Sequence, residues 1–100
     1  MLSEEQIYNS LKKVKDPELG LDIVSLGLIY KVTLVDGKVS LLMTMTFPGC
    51  PYGPALVEGA KKEVKKLKGV KEVEVEVTFS PPWDLSMIAA EAKMYLGIKN

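Results

Sequence analysis

The fold of this protein is decided by residues 44–54, whose sequence is Thr44-Met45-Thr46-Phe47-Pro48-Gly49-Cys50-Pro51-Tyr52-Gly53-Pro54. A run of alternating apolar and polar residues leads into this stretch, and a lysine-rich pattern of helical period leads out of it. Such a change of period, marked by glycines and prolines, predicts a constrained turn between a strand and the N-terminus of a helix. The turn carries Cys50, the only cysteine of the chain.

This predicted turn is a place where a thiol can be activated. Pro54 suits the first helical position, because its missing N–H costs nothing there, and the unpaired N–H groups of the first turn would point back toward the sulfur of Cys50. These donors and the helix dipole favour an anion, so they would lower the pKa of a cysteine and raise its thiolate fraction. The alternative is a small buried apolar residue, which is where free cysteines most often lie.

Length and composition predict a single globular domain over residues 1–100, since 47% of the residues are apolar. A chain of this length buries about two thirds of its unfolded surface, so it needs no disulfide or structural metal. One cysteine forms no internal bridge, and nothing at the N-terminus is typical of a signal peptide, so a cytoplasmic location is expected. No apolar run approaches the roughly 20 residues that span a bilayer, so no membrane association is expected.

Charge and residue types narrow the function. Basic and acidic residues number 13 each, and every cation is a lysine. A nucleic-acid partner is therefore not expected, since such proteins carry a basic excess and use arginine for forked contacts. Histidine is absent, which removes Cys-His nucleophilic pairs and histidine-based zinc sites within the chain.

The N-terminal part predicts one helix and one packed loop. Ser3 and Gln6 form a capping-box pattern at the start of a helix over about residues 4 to 14. Asp16-Pro17 would end it, because a residue before proline avoids the helical region. The loop of residues 16–27 is too apolar for a solvated linker, and we expect Leu26 or Leu28 to reach the core.

Three strands are predicted. Residues 30–34 alternate in polarity, Asp36-Gly37 is typical of a type I′ hairpin turn, and a second strand should extend over about residues 38 to 47. The third strand is predicted over residues 73–79, with its apolar side chains inward. In the second strand, the residues expected to face the core are Val39, Leu41, Met43, Met45 and Phe47, and those on the other face are Ser40, Leu42, Thr44 and Thr46.

A second helix is predicted over residues 54–68 with Gly69 as its C-terminal cap, and a last helix from Asp84 through Leu96, closed by Gly97. The order is α-β-β-α-β-α, which predicts an α+β two-layer fold of the α/β class: a small three-stranded mixed sheet with helices on one face. The other face of the sheet would meet water or a partner. Lysines on the second helix are expected to form a solvated face.

Four sequence blocks carry a resemblance to a known family: Asp16-Pro17-Glu18, residues 22–30, Thr46-x-x-Gly49-Cys50-Pro51 and Ser80-Pro81-Pro82-Trp83. The chain resembles the SufT/PaaD-type iron-sulfur assembly domain, which also occurs in cytosolic iron-sulfur targeting proteins of eukaryotes. The match extends over nearly the whole chain, with the blocks in family order and at family spacing.

The resemblance implies a non-enzymatic accessory or carrier role in iron-sulfur cluster assembly and delivery. It assigns the cluster or iron contact to Cys50, the acidic block to Asp16 and Glu18, and the threonine before the cysteine to Thr46. Asp22 is a further acidic candidate near this site. The implied partners are an assembly scaffold or carrier and client apoproteins.

One thiolate does not complete an iron-sulfur cluster, because the usual ligation uses four cysteines. A cluster would be shared across a homodimer, completed by small thiols, or handed to a partner. A transient cluster or iron is therefore expected, and none bound tightly.

Simpler interpretations stand beside each of these assignments. Asp16-Pro17-Glu18 is also typical of a turn that ends a helix, and Thr44 and Thr46 could be ordinary residues on the solvent face of a strand. Trp83 suits either a cap on the core or an anchor at an interface. The rival functions are a thiol enzyme with Cys50 as nucleophile and Glu18 as base, a small adaptor, and an RNA-binding module of the KH type. The KH interpretation lacks the Gly-x-x-Gly loop between two helices.

Overall fold

The computed structural model describes residues 2–17, 20–46 and 52–90. Its elements in chain order are α1 (Glu4–Leu11), β1 (Ile29–Val35), β2 (Lys38–Met43), α2 (Gly53–Lys65), β3 (Glu72–Val77) and a 3₁₀ turn (Leu85–Met87). The predicted α+β architecture is confirmed by these helices and by a three-stranded mixed sheet. No helix in the described ranges is long and apolar enough to cross a membrane.

The sheet has the strand order β1-β2-β3. Strands β1 and β2 form an antiparallel hairpin, and α2 connects β2 to the parallel strand β3. At the hairpin turn, Asp36 has a φ of 47° and Gly37 a φ of 82°. Positive φ at both central residues is what a type I′ turn requires, so the turn prediction is confirmed.

The core lies between the sheet and the two helices, and it follows the predicted periodicity. The fully or nearly buried apolar residues of the strands and helices are Ile7, Leu11, Val32, Val39, Leu41, Met43, Leu56, Ala60 and Val64, and Met45, just after β2, is buried as well. From the loop before β1, both Leu26 and Leu28 are completely buried, as is Ile23. The loop therefore contributes to the core as much as a helix does, which confirms the expectation from its apolar content.

Helix α1 is shorter than predicted, ending at Leu11 and not near residue 14. Beyond it, the chain joins a short antiparallel bridge: Ile23 donates its N–H to the Val14 carbonyl at 2.9 Å, and Lys15 pairs with Asp22. The N–H groups of Lys13 and Val14 bond to carbonyls only three residues back, so the helix closes in a tight turn before the paired segment begins. The predicted capping box at Ser3 and Gln6 is present.

Other element ends also differ. Strand β2 ends at Met43, beside a shift in its register with β1 between Ile29 and Lys31, although the Thr44 N–H still donates to the Leu28 carbonyl at 2.8 Å. Helix α2 ends at Lys65, and Gly69, with a φ of 98°, lies in the turn that follows and is not the cap.

The C-terminal part agrees less well with its sequence pattern. Strand β3 ends at Val77, and Val77 and Phe79 are 39% and 42% exposed, although the alternation predicts that both face inward. Asp84 accepts a hydrogen bond from the Ser86 N–H at 2.7 Å, but the element it opens is a 3₁₀ turn. The rest of the predicted last helix, with Leu96 and Gly97, lies outside the described residues, as does Phe47.

Candidate functional site at one end of the sheet

Both described neighbours of the Cys50 segment lie at the same end of the sheet. Strand β2 finishes there, and β3 finishes beside it, where Thr78 donates its N–H to the Met43 carbonyl at 2.8 Å. The N-terminus of α2 begins at the same place, since a Cβ built on Gly53 would lie 3.6 Å from the Met45 sulfur. The carboxyl ends of two parallel strands and a helix N-terminus therefore converge, an arrangement that commonly forms binding sites in open sheets.

The N-terminus of α2 carries no side-chain cap. Its N-cap residue Tyr52 makes no capping hydrogen bond, Pro54 occupies the first turn, and the first turn contains no acidic residue. A helix start of this kind favours an anion, because its first N–H groups have no intrahelical partner. The prediction that a proline opens this helix is confirmed to within one residue.

The two threonines before the Cys50 segment differ from each other. The strand pattern predicts Thr44 on the open face of the sheet, but it is completely buried and its hydroxyl donates to the Met45 carbonyl at 3.4 Å. Its N–H donates to the Leu28 carbonyl, so the chain at Thr44 is still paired with the segment before β1. Thr46 is half-buried and is the last described residue before the gap.

Asp16, the first residue of the acidic block, is held within its own loop by backbone hydrogen bonds. Asp16 is only 3% exposed; its N–H donates to the Leu21 carbonyl and its own carbonyl accepts from the Gly20 N–H, both at 2.8 Å. The same loop continues to Leu28, which accepts the hydrogen bond from Thr44. The loop that contains Asp16 is thus tied to the end of β2 through Leu28, on its C-terminal side.

Asp22 is a turn cap. Its carboxylate accepts hydrogen bonds from the Val24 N–H at 3.0 Å, the Ser25 N–H at 2.9 Å and the Ser25 hydroxyl at 2.7 Å. A carboxylate with these partners holds the turn of residues 23–27 in place, as an Asp does at a helix N-cap. Its lone pairs are therefore largely occupied by the loop itself.

The block around Ser80-Pro81-Pro82-Trp83 packs against that same turn. Trp83 is half-buried and donates its indole Nε1–H to the Leu26 carbonyl at 2.7 Å. The Ala89 N–H donates to the Ser25 carbonyl at 2.8 Å. A Cβ at Gly27, whose φ is 77°, would overlap the Met87 carbonyl oxygen. Trp83 thus caps the core, one of the two roles that its sequence position allows.

An apolar groove beside the site is the feature that the sequence did not single out. It is lined chiefly by Met45, Pro54, Val57, Val77 and Phe79, next to the start of α2, and has a volume of about 420 Å³. In the sequence, the groove is marked only by Val77 and Phe79 at the end of the third alternating run, and that alternation alone predicts that both side chains face the core.

Cys50 and Glu18 lie outside the described residues, so their predicted roles stay predictions. Within residues 2–17, 20–46 and 52–90, no group of three or more His, Cys, Asp or Glu side chains is placed to hold a metal ion. The sequence has one cysteine and no histidine. A single copy of the chain therefore does not supply the four cysteine ligands of an ordinary iron-sulfur cluster.

Comparisons with known proteins agree on one family. A family model described as iron-sulfur cluster assembly protein matches residues 4–77. The chain is 43% identical over 97 residues to an Fe-S protein maturation auxiliary factor of Bacillus subtilis, covering 96% of this chain and 95% of that protein. It is 39% identical to an iron-sulfur cluster carrier protein of Synechocystis sp., over 87% of this chain and 25% of that protein. The crystal structure of a domain of unknown function from Bacillus anthracis has a TM-score of 0.90 at 42% identity, covering 96% of this chain and 92% of that chain.

Proposed function

The chain belongs to the iron-sulfur cluster assembly protein family, and we propose that it is an accessory or carrier protein of cluster assembly that contacts its cargo through Cys50. The relatives named as a maturation auxiliary factor and as a cluster carrier support this role. Both names describe proteins that assist or carry, which favours a non-enzymatic function over a thiol enzyme.

The observation that carries the proposal is the position of Thr46 and Gly53. Both residues that flank the Cys50 segment lie where β2 ends and α2 begins, next to an uncapped helix N-terminus. The first N–H groups of such a helix favour a thiolate over a thiol, and the thiolate is the form that binds iron. The lack of an acidic residue in the first turn of α2 adds to this preference.

Thr46 and the acidic block are proposed to surround the cargo. Thr46 is half-buried at the end of the sheet, where its hydroxyl is suited to donate a hydrogen bond to a sulfur or an oxygen. We assign Glu18 the role of a hard oxygen contact. Asp16, which is buried in the same loop, would shape that loop around the cargo.

The cluster or iron is the cargo of the proposed carrier, and the protein binds it transiently. A single thiolate leaves the remaining positions of a cluster to be filled by a second copy of the chain, by small thiols, or by the assembly scaffold or client apoprotein that gives or receives it. A free thiol of this kind requires a reducing compartment, so we place the protein in the cytoplasm.

Anaerobic reconstitution with iron and sulfide tests the role of Cys50. The parent protein, Cys50→Ala and Thr33→Ala are reconstituted, separated by size, and measured for iron content and visible absorption. Thr33 is an exposed residue on the open face of the sheet. Its variant therefore shows how much iron is lost through purification and reconstitution alone. We expect cysteine-dependent charge-transfer bands in the parent and in Thr33→Ala, and their loss in Cys50→Ala.

Equal iron and equal absorption in Cys50→Ala and the parent would contradict the assignment of the cargo contact to Cys50. If no species of the parent retains iron, the carrier role fails and the protein is an adaptor. Maturation of a client apoprotein by the parent and by Cys50→Ala then separates the two roles, because an adaptor does not need the thiol.

A further inference from the structure

Strand β3 has a free hydrogen-bonding edge. Its partner on one side is β2, and among residues 2–17, 20–46 and 52–90 no strand pairs with its other side. On the β2 side, Glu72 donates its N–H to the Gly37 carbonyl at 3.4 Å and Thr78 donates to the Met43 carbonyl at 2.8 Å. The N–H and C=O groups of successive residues in a strand point to opposite sides, so the odd-numbered residues between Glu72 and Thr78 direct their N–H and C=O groups to the free edge. These residues are Val73, Val75 and Val77.

The open face of the sheet is acidic along this edge. Glu72, Glu74 and Glu76 are exposed and alternate with the valines. Lys38 of β2 lies 3.4 Å from the Glu74 carboxylate. In the described part of the chain, no cation comes within salt-bridge distance of Glu72 or Glu76. Two carboxylates at the edge are therefore available to a cationic partner.

The opposite face of the same strand is mixed: beside Val73 it is lined by charged residues of α2, and beside Val77 it is apolar. The charged residues are Glu58, Lys61, Lys62 and Lys65. Val73 and Val75 are half-buried against the core, while Val77 and Phe79 remain 39% and 42% exposed. The last two border the groove of about 420 Å³ between β3 and the start of α2. An exposed strand edge thus has a row of carboxylates on one side and, at its C-terminal end, an apolar groove on the other.

We propose that the free edge of β3 binds an extended segment of a partner protein in which cationic and apolar side chains alternate. Such a segment adds a fourth strand by pairing with the outward backbone groups of the three valines. Because successive side chains of a strand point to opposite faces, its cations come beside the glutamates and its apolar side chains reach the groove.

Charge decides between this partner and a second copy of the chain. Two-fold pairing of β3 with itself would align the glutamates of one strand with those of the other, and like charges directly opposite each other are destabilising. Exposed charges on an edge strand commonly prevent such self-association. A segment of opposite charge removes the repulsion and gains attraction. The inference does not rest on the role proposed for Cys50.

The probe is a short fluorescent peptide of alternating lysine and valine, and its binding is followed by fluorescence anisotropy. The Glu72→Gln/Glu76→Gln protein should bind it about fivefold to tenfold more weakly than the parent, since two cross-strand ion pairs are lost. Glu4→Gln/Glu5→Gln is the matched control, because it removes the same charge from α1, and it should bind like the parent. Added salt should weaken binding to the parent more than to the Glu72→Gln/Glu76→Gln protein.

Amide hydrogen exchange measured by NMR identifies the edge itself. The peptide should slow exchange at Val73, Val75 and Val77, and a peptide of the same composition with its lysines in one block should not. Val75→Pro removes an outward N–H but no hydrogen bond to β2, a position where an edge strand tolerates proline. This variant should lose the peptide affinity.

Equal peptide affinity of the Glu72→Gln/Glu76→Gln and Glu4→Gln/Glu5→Gln proteins would overturn the proposal, as would unchanged exchange at the three valines. Slowed exchange that grows with protein concentration without peptide would assign the edge to a second copy instead. Iron retention in the reconstitution experiment is measured separately, so failure of this inference leaves the cargo role of Cys50 unaffected.

Discussion

At the scale of single residues, the blocks of the family resemblance divide into structural and candidate cargo-binding positions. Asp22 and Gly27 hold the turn before β1, and Trp83 fastens the C-terminal segment onto it. Cys50 lies outside the described residues and stays the proposed contact of the cargo. A residue can therefore belong to a family motif because it positions a loop, without touching any ligand.

Gly27 should be among the residues least tolerant of substitution. Gly27→Ala should destabilise the protein by about 2 kcal/mol or more, because the left-handed backbone and the overlap with the Met87 carbonyl act together. Gly20→Ala is the matched control: its φ is 72° but nothing lies within 4 Å of its Cβ position. Urea unfolding measures both. Equal losses of stability for the two variants would show that the packing against Met87 contributes nothing.

Asp22 should be required for stability and not for cargo binding. Asp22→Ala removes the acceptor of three hydrogen bonds and should lower the free energy of unfolding by about 1 to 2 kcal/mol. Its folded fraction should retain as much iron as the parent after reconstitution. Iron loss without loss of stability would instead make Asp22 a contact of the cargo, as its place near the acidic block suggests.

At the scale of elements, long-range hydrogen bonds set the ends of helices and strands. Where helix α1 was expected to continue, Val14 pairs with Ile23, and just beyond the end of β2, Thr44 pairs with Leu28. Both partners come from the loop of residues 16–28, whose apolar side chains draw it into the core. Period and propensity therefore predicted α1, α2 and the three strands, whereas the predicted last helix begins as a 3₁₀ turn. The ends of the elements depended on contacts with a loop that is distant in the local pattern.

The ion pair between Glu63 of α2 and Lys66, the residue after this helix, should make the stability of the protein depend on pH. The Lys66 ammonium donates a hydrogen bond to Glu63 at 2.9 Å, which lowers the pKa of Glu63 below its ordinary value. Because the pKa of Glu63 is lower in the folded state than in the unfolded state, the ion pair stabilises the protein at pH values above the unfolded-state pKa. This stabilisation is lost as the pH falls through the folded-state pKa. Glu63→Gln should therefore melt at a lower temperature than the parent at pH 7.

The difference should vanish in acid, once the carboxyl is protonated in both folded and unfolded states. It should be small, as for other exposed ion pairs. Glu58→Gln is the control, because Glu58 lies on the same helix and forms no ion pair within the described residues. A melting difference for Glu63→Gln that persisted at low pH would show that the effect does not come from the charge.

At the scale of the whole molecule, the two faces of the sheet have different uses. One face packs on α1 and α2 and forms the core, and the other is open and polar, with the glutamates of β3 at its edge. The candidate cargo site lies at a third place, the end of the sheet where β2, β3 and α2 meet. The groove proposed to take the partner's apolar side chains borders this end through Met45 and Pro54, so a bound partner would lie beside the cargo.

By itself, the sequence determined the features that depend on neighbouring residues: the alternation of the strands, the helical stripe of Leu56, Ala60 and Val64, the capping box and the type I′ turn. These follow from backbone sterics and period, so they need no knowledge of distant contacts. Only the tertiary structure decided that Thr44 is buried, that Val77 and Phe79 are exposed, and that Asp22 caps a turn. The reason is that burial depends on which distant segment covers a residue, and that information is not contained in its local pattern.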